Sequence, residues 1–188
     1  GHRRPWIPPM GGNYPNFHLS DRPRILFDAF QQGIFTAPRI LFCDSWDLVF
    51  VDKPQVLFDK WEAMDCDLAI SGEKNCFPSD HKEEFDKAAP EGTSYKYINC
   101  GTILGRTEAF YESLKSMDAA NQPFDYRMEN GQMHHYNEQK YWHDEWLKQP
   151  VSIKIDYSQN IAQCLQDVTA DELEFMEDVR IRNIEQNT

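Results

Sequence analysis

The chain has 188 residues, 31 acidic side chains against 19 basic ones and a net charge of −12, with 40% apolar and 13% aromatic residues. That length suits one domain over residues 1–188, and the aromatic content excludes a chain that stays disordered. The charge disfavours a broad nucleic-acid or anionic-membrane face, and no apolar run approaches the ~20 residues that span a bilayer. No apolar segment follows Gly1-His2-Arg3-Arg4-Pro5-Trp6, so no signal peptide is read there. Cys43, Cys66, Cys76, Cys100 and Cys164 form no C-x-x-C pair, and no Asn-x-Ser/Thr acceptor occurs. A disulfide scaffold is therefore not expected, and a reducing, cytoplasmic setting is.

Residues 5–16 are rich in Pro, Gly and Asn and read as a loop. Ser20 is placed to cap a helix with Pro23 in its first turn, Ile25, Leu26, Ala29 and Phe30 on one stripe, and Gly33 past its end. Ile40 to Cys43 is a short apolar run, as in a strand covered on both faces, and a second run, Leu48 to Val51, follows Asp44-Ser45-Trp46-Asp47. Asp52 and Pro54 open a helix with Val56, Leu57, Trp61 and Met64 at helical spacing, before a strand at Asp67 to Ile70. Residues 78–92 read as a charged loop with one exposed helical turn. Tyr95 to Ile98 and Thr102 to Leu104 read as two strands joined through Asn99-Cys100-Gly101, and Thr107 as the cap of a helix reaching Met117. Residues 118–135 read as irregular, Asn137 to Leu147 as a helix and Val151 to Ile155 as a strand. The alternation predicts an α/β fold, in which ligands gather beyond the carboxyl ends of strands, where Asp44, Asp47 and Glu73 would lie.

Asp44 and Asp47, separated by two residues after a buried strand, can face one cavity and hold a hard divalent cation through oxygen; turn capping is the plain alternative. Glu73 in Gly72-Glu73-Lys74-Asn75-Cys76-Phe77-Pro78 could hold sugar hydroxyls or form a surface salt bridge. Gly101 allows either a ligand or a β-bulge close to the backbone. Glu138 opens a helix, where a carboxylate serves a cleft or only the helix dipole. His134, His135 and His143 raise a zinc hydrolase, but their spacing is not H-E-x-x-H and no cysteine pair supports it. Trp142 and Trp146, four apart, read as a core-facing stripe.

Together these residues resemble the glycosyltransferase domain of procollagen lysyl hydroxylases, with procollagen galactosyltransferases as a wider circle. Leu41 to Phe50 resembles the metal-site strand and turn, and Glu73-Lys74-Asn75-Cys76-Phe77-Pro78 the Glu-Lys-x-Cys-x-Pro loop. Tyr97 to Gly105 is similar to the Asn-Ser-Gly segment, Asn137-Glu138-Gln139 stands where the family has Asp-Asp-Gln, and Val179 to Asn183 resembles Val-Arg-x-Arg-Asn.

The resemblance implies a GT-A-like, Rossmann-related mixed sheet flanked by helices, and a retaining hexosyltransferase using a UDP-sugar and Mn2+ or Mg2+. It makes Asp44 and Asp47 metal ligands and puts Trp46 beside the nucleotide. Glu73, Asn99 and Gly101 fall in the donor and acceptor cleft, and Glu138, preceded by Asn137, nearest the reaction. The resemblance further implies a hydroxyl acceptor, hydroxylysine-like; a hydroxyl on a modified nucleobase is the nucleic-acid variant, against which the charge argues. The family's first, nucleotide-binding strand and its His-Gly-Asn-Gly segment are expected to be missing. Asn137-Glu138 in place of Asp-Asp and Cys100-Gly101-Thr102 in place of Ser-Gly-Gly are departures. They motivate an alternative: a catalytically silent GT-A-like domain that binds nucleotide or partners.

Overall fold

The computed structural model describes residues 22–44, 48–78, 80–119, 127–129, 132–134, 138–166, 168–169, 173–175 and 181–183, the four short segments 127–129, 132–134, 173–175 and 181–183 as backbone. Trp46, Asp47 and Asn137, and with them Ser20 and His135, lie outside these residues.

Helix α1 is Arg22–Gln31, with Pro23 in its first turn and Gly33 just past its end at φ +68°, where the absence of a Cβ removes the strain. Strand β1 (Arg39–Cys43) leads through residues 48–53 to helix α2 (Pro54–Ala63) and strand β2 (Leu68–Glu73). Then come α3 (Lys82–Ala88), β3 (Tyr97–Arg106), α4 (Thr107–Ser116), α5 (Glu138–Lys148) and β6 (Ile153–Asp156). Between α4 and α5 lies an antiparallel pair, β4 (Arg127–Glu129) and β5 (Gln132–His134), and after β6 a second, β7 (Leu173–Phe175) and β8 (Ile181–Asn183).

The main sheet has the order β1-β3-β2-β6. Strand β3 is antiparallel to both β1 and β2, and β2 is parallel to β6. Strands β1, β2 and β6 therefore run the same way, and their carboxyl ends, at Cys43, Glu73 and Asp156, share one side of the sheet. The period-2 alternation of strands sorts the side chains. Ile40, Phe42, Leu68, Ile70, Ile103, Ile153 and Ile155 join one apolar cluster with Phe110, Leu114 and Trp142. Leu41, Ala69 and Leu104 join a second with Leu57 and Trp61 of α2. The result is a mixed sheet between helical layers, as the GT-A-like expectation has it. Among the described residues no helix is long and apolar enough to cross a membrane.

Several expectations are corrected. Residues 82–88 form α3, and its Phe85 is fully buried, so this segment is not a loop with an exposed turn. A lone apolar residue among charges carries no visible period. The two strands expected around Asn99-Cys100-Gly101 are one strand, β3, and the register with β2 shifts there: Ile70 pairs with Ile103 but Ser71 with Asn99. Pairing with β1 continues through the same region, Cys43 opposite Thr102, so the irregularity is a bulge on one side only. Thr107 is the first helical residue of α4; Arg106 takes the cap position without a side-chain cap bond. Residues 118–135, expected to be irregular, contain the β4–β5 pair. Strand β1 is covered on both faces, but its place at the sheet edge leaves every residue half-buried. Val49, Phe50 and Val51 form no regular element and are exposed.

Candidate active site

The carboxyl ends of β1 and β2, the bulge of β3 and the first turns of α1 and α5 meet in one place. Asp44 follows β1 directly, and its N–H donates to the carbonyl of Gly101 in the bulge, 2.8 Å. The same bulge turns the Asn99 amide inward, where its Oδ1 accepts from the Gly101 N–H at 2.9 Å. A Cβ at residue 101 would lie 2.8 Å from Asn99 Oδ1 and 2.9 Å from Asp44 Oδ2, so glycine is what lets these two side chains close on the strand.

Glu73, the last residue of β2, is 3% exposed, which excludes the surface salt bridge. Its carboxylate accepts from Gln139 Nε2 at 2.5 Å and from Asn99 Nδ2 at 3.4 Å. Gln139 also donates to the Phe77 carbonyl at 2.6 Å and accepts from the Cys100 N–H at 3.2 Å, tying α5 to the bulge and to the loop after β2. A further loop closes over the site. The Asp156 carboxylate accepts from the N–H groups of Asn160 and Ile161, at 3.0 and 2.6 Å. Gln159 donates to Gly72 O at 2.9 Å and accepts from the Cys164 N–H at 2.7 Å. This sets Cys164 Sγ 3.8 Å from Asn99 Nδ2.

Glu138 is the first residue of α5 and 1% exposed. Its carboxylate pairs with Arg22, the first residue of α1, and the same guanidinium pairs with Asp44. Burial pushes the Glu138 carboxyl up to about 8; Arg22 opposes that shift, and the negative charge of Asp44 adds to it. Arg22 is itself held above its ordinary value: burial works against its charge, but Glu138 and Asp44 outweigh it. Cys100, almost fully buried beside these groups, is pushed well up by burial first and by Glu138 next.

The structure thus brings together Asp44, Glu73, Asn99, Gly101 and Glu138 of the residues singled out by sequence, while Asp47, Trp46 and Asn137 lie outside the described residues. Asp44 offers a hard oxygen donor at a strand end, with more than a third of its side chain exposed, which suits Mn2+ or Mg2+ better than a softer metal. Among the described residues no group of three or more His, Cys, Asp and Glu side chains gathers around a point. His143 is a core residue, fully buried with its ring edge-on to Phe85, which removes it from a zinc site. Trp142 and Trp146 pack into the core as expected.

Sequence reasoning missed Arg22 and gave no role to Gln139 or Cys164. Arg22 carried a signal: a cation in the first turn opposes the helix dipole, and α1 has no acidic residue there to offset it.

The profile of the PLOD GT domain matches residues 32–188. Over 80 residues, 41% of this chain, the sequence is 30% identical to uncharacterized protein R699 of Acanthamoeba polyphaga mimivirus, of which the matched part is 17%. The chain belongs to the PLOD glycosyltransferase domain family.

Proposed function

We propose that this chain transfers a sugar from a UDP-sugar to an acceptor hydroxyl, hydroxylysine-like, with retention of configuration. The observation that carries the reading is the convergence of Asp44, Glu73, Asn99 and Glu138 at one end of the sheet of a PLOD-type glycosyltransferase domain. In the transfer, the bond from the anomeric carbon to the diphosphate oxygen breaks. A bond from that carbon to the acceptor oxygen forms, and the acceptor proton leaves with UDP or to solvent. In this reading the buried carboxylate of Glu73, with Glu138 once it has lost its proton, stabilises the positive charge that develops on the sugar ring. The Asn99 amide, held by its bonds to Gly101 and Glu73, binds sugar hydroxyls in this reading.

A divalent cation, held by Asp44 and by Asp47, would neutralise the diphosphate of the donor. Titration of UDP with and without Mn2+ tests the reading: binding that requires the metal is expected, and transfer or donor hydrolysis should follow. Asp44→Ala combined with Asp47→Ala should abolish metal-dependent UDP binding without unfolding the chain. Wild-type affinity in that variant would overturn the metal assignment. The pairing of Arg22 with both Asp44 and Glu138 favours a second reading, a domain that binds nucleotide without turnover. UDP binding with neither transfer nor hydrolysis would establish it.

A further inference from the structure

We infer that Arg22 is a built-in counter-cation that holds Asp44 until a divalent ion displaces it, so that metal binding at this site is a cation exchange. The inference rests on the metal-dependent reading above and adds a residue that precedes the matched region, 32–188.

One guanidinium bridges two carboxyl groups from different elements, Asp44 after β1 and Glu138 at the start of α5. Arg22 NH1 takes Asp44 Oδ1, and the other oxygen of Asp44 faces the space left by the missing Cβ of Gly101. The Arg22 side chain is 17% exposed and its guanidinium lies 5.7 Å from the centroid of the Phe42 ring, a shelf provided by β1. A metal ion on Asp44 would have to share that carboxylate with a fixed positive charge. Two cations on one carboxylate repel, so each weakens the other's hold on Asp44, and a bound ion favours a guanidinium swung out toward solvent.

Arg22 pairs with the buried Glu138 as well as with Asp44, which ties α1 to both elements. Arg22 is therefore a positioning residue for the empty site and a competitor for the filled one. A purely structural arginine has a different signature: its removal loosens the site and weakens metal binding.

The test is titration of Mn2+ alone into the full chain, read by the loss of free-ion electron paramagnetic resonance signal. Arg22→Gln, which keeps a hydrogen-bonding head without the charge, is expected to bind Mn2+ about tenfold more tightly than the wild type. Equal or weaker affinity in a variant that melts cooperatively would overturn the exchange while leaving the metal-dependent reading in place. If Arg22→Gln fails to fold, the double variant Arg22→Gln plus Glu138→Gln removes the uncompensated buried carboxyl and carries the same expectation. Mn2+ binding in neither the wild type nor a folded variant would overturn both the exchange and the metal reading.

Discussion

Gly101 is the residue on which the site's closeness depends. Its carbonyl and N–H bind Asp44 and Asn99, and no left-handed backbone angle is involved, so alanine is accessible to the backbone. What alanine cannot do is leave Asn99 Oδ1 and Asp44 Oδ2 where they are, since its Cβ would stand 2.8 and 2.9 Å from them. Both are side-chain oxygens and can give way, so the cost falls on the site more than on the fold. Gly101→Ala is expected to cost about 1 kcal/mol of stability, in the ordinary range of point substitutions. Metal-dependent UDP binding should fall by about tenfold or more, the equivalent of ~1.4 kcal/mol. Isothermal titration beside a thermal melt separates the two; wild-type UDP affinity would show that Asp44 and Asn99 do not act from the positions seen.

Among the elements, α3 shows how a short helix is held without a pattern of its own. Its seven residues carry one apolar anchor, Phe85, which stacks on Trp146 at 4.6 Å and meets Tyr97 edge-on at 6.1 Å. Phe85→Ala should cost about 3–5 kcal/mol by the lost transfer energy and the cavity left among large rings. A urea unfolding series checks it, and a loss under 1 kcal/mol would mean that α3 is not part of the cooperative core. The same element marks where the sequence stops being legible. Helices α1, α2, α4 and α5 could be read from apolar residues at helical spacing or from their caps, β6 from its alternation, and the cores of β1 and β2 from short continuous apolar runs. In α3 one phenylalanine stands in for a stripe, and only the fold shows it buried. The site divides in the same way. Asp44, Glu73 and Asn99 are visible because they end apolar runs, and the resemblance adds Glu138. Arg22 is 22 residues from Asp44, and nothing local links them; the contact exists because α1 packs back along α4, which itself packs on β1. The bulge is a further case, since Thr102 keeps its partner on β1 while Cys100, Gly101 and Thr102 all lack one in the register with β2.

At the scale of the molecule, two buried groups give opposite pH dependences. Glu138 has its carboxyl raised from an ordinary 4.5 to about 8, so between those values the unfolded chain holds fewer protons than the native one and stability falls as pH rises. His143 runs the other way. Burial lowers it from 6.5 to about 4, and the native state refuses a proton that the unfolded chain accepts, so stability falls as pH drops through that window. Between pH 4.5 and 6.5 the two slopes oppose each other, and a pH profile of the wild type alone hides both. His143→Gln isolates one of them, because a neutral amide has no proton to refuse. The stability difference between wild type and this variant, from urea midpoints at pH 7 and pH 5 with chelator present, should shift by about 2 kcal/mol against the wild type at pH 5. His143 is fully buried against Phe85, so packing changes affect both pH values equally and cancel in the comparison. An unchanged difference would mean that His143 takes up its proton in the folded core as readily as in the unfolded chain, and that the Ile98 carbonyl and the Asp144 charge outweigh its burial.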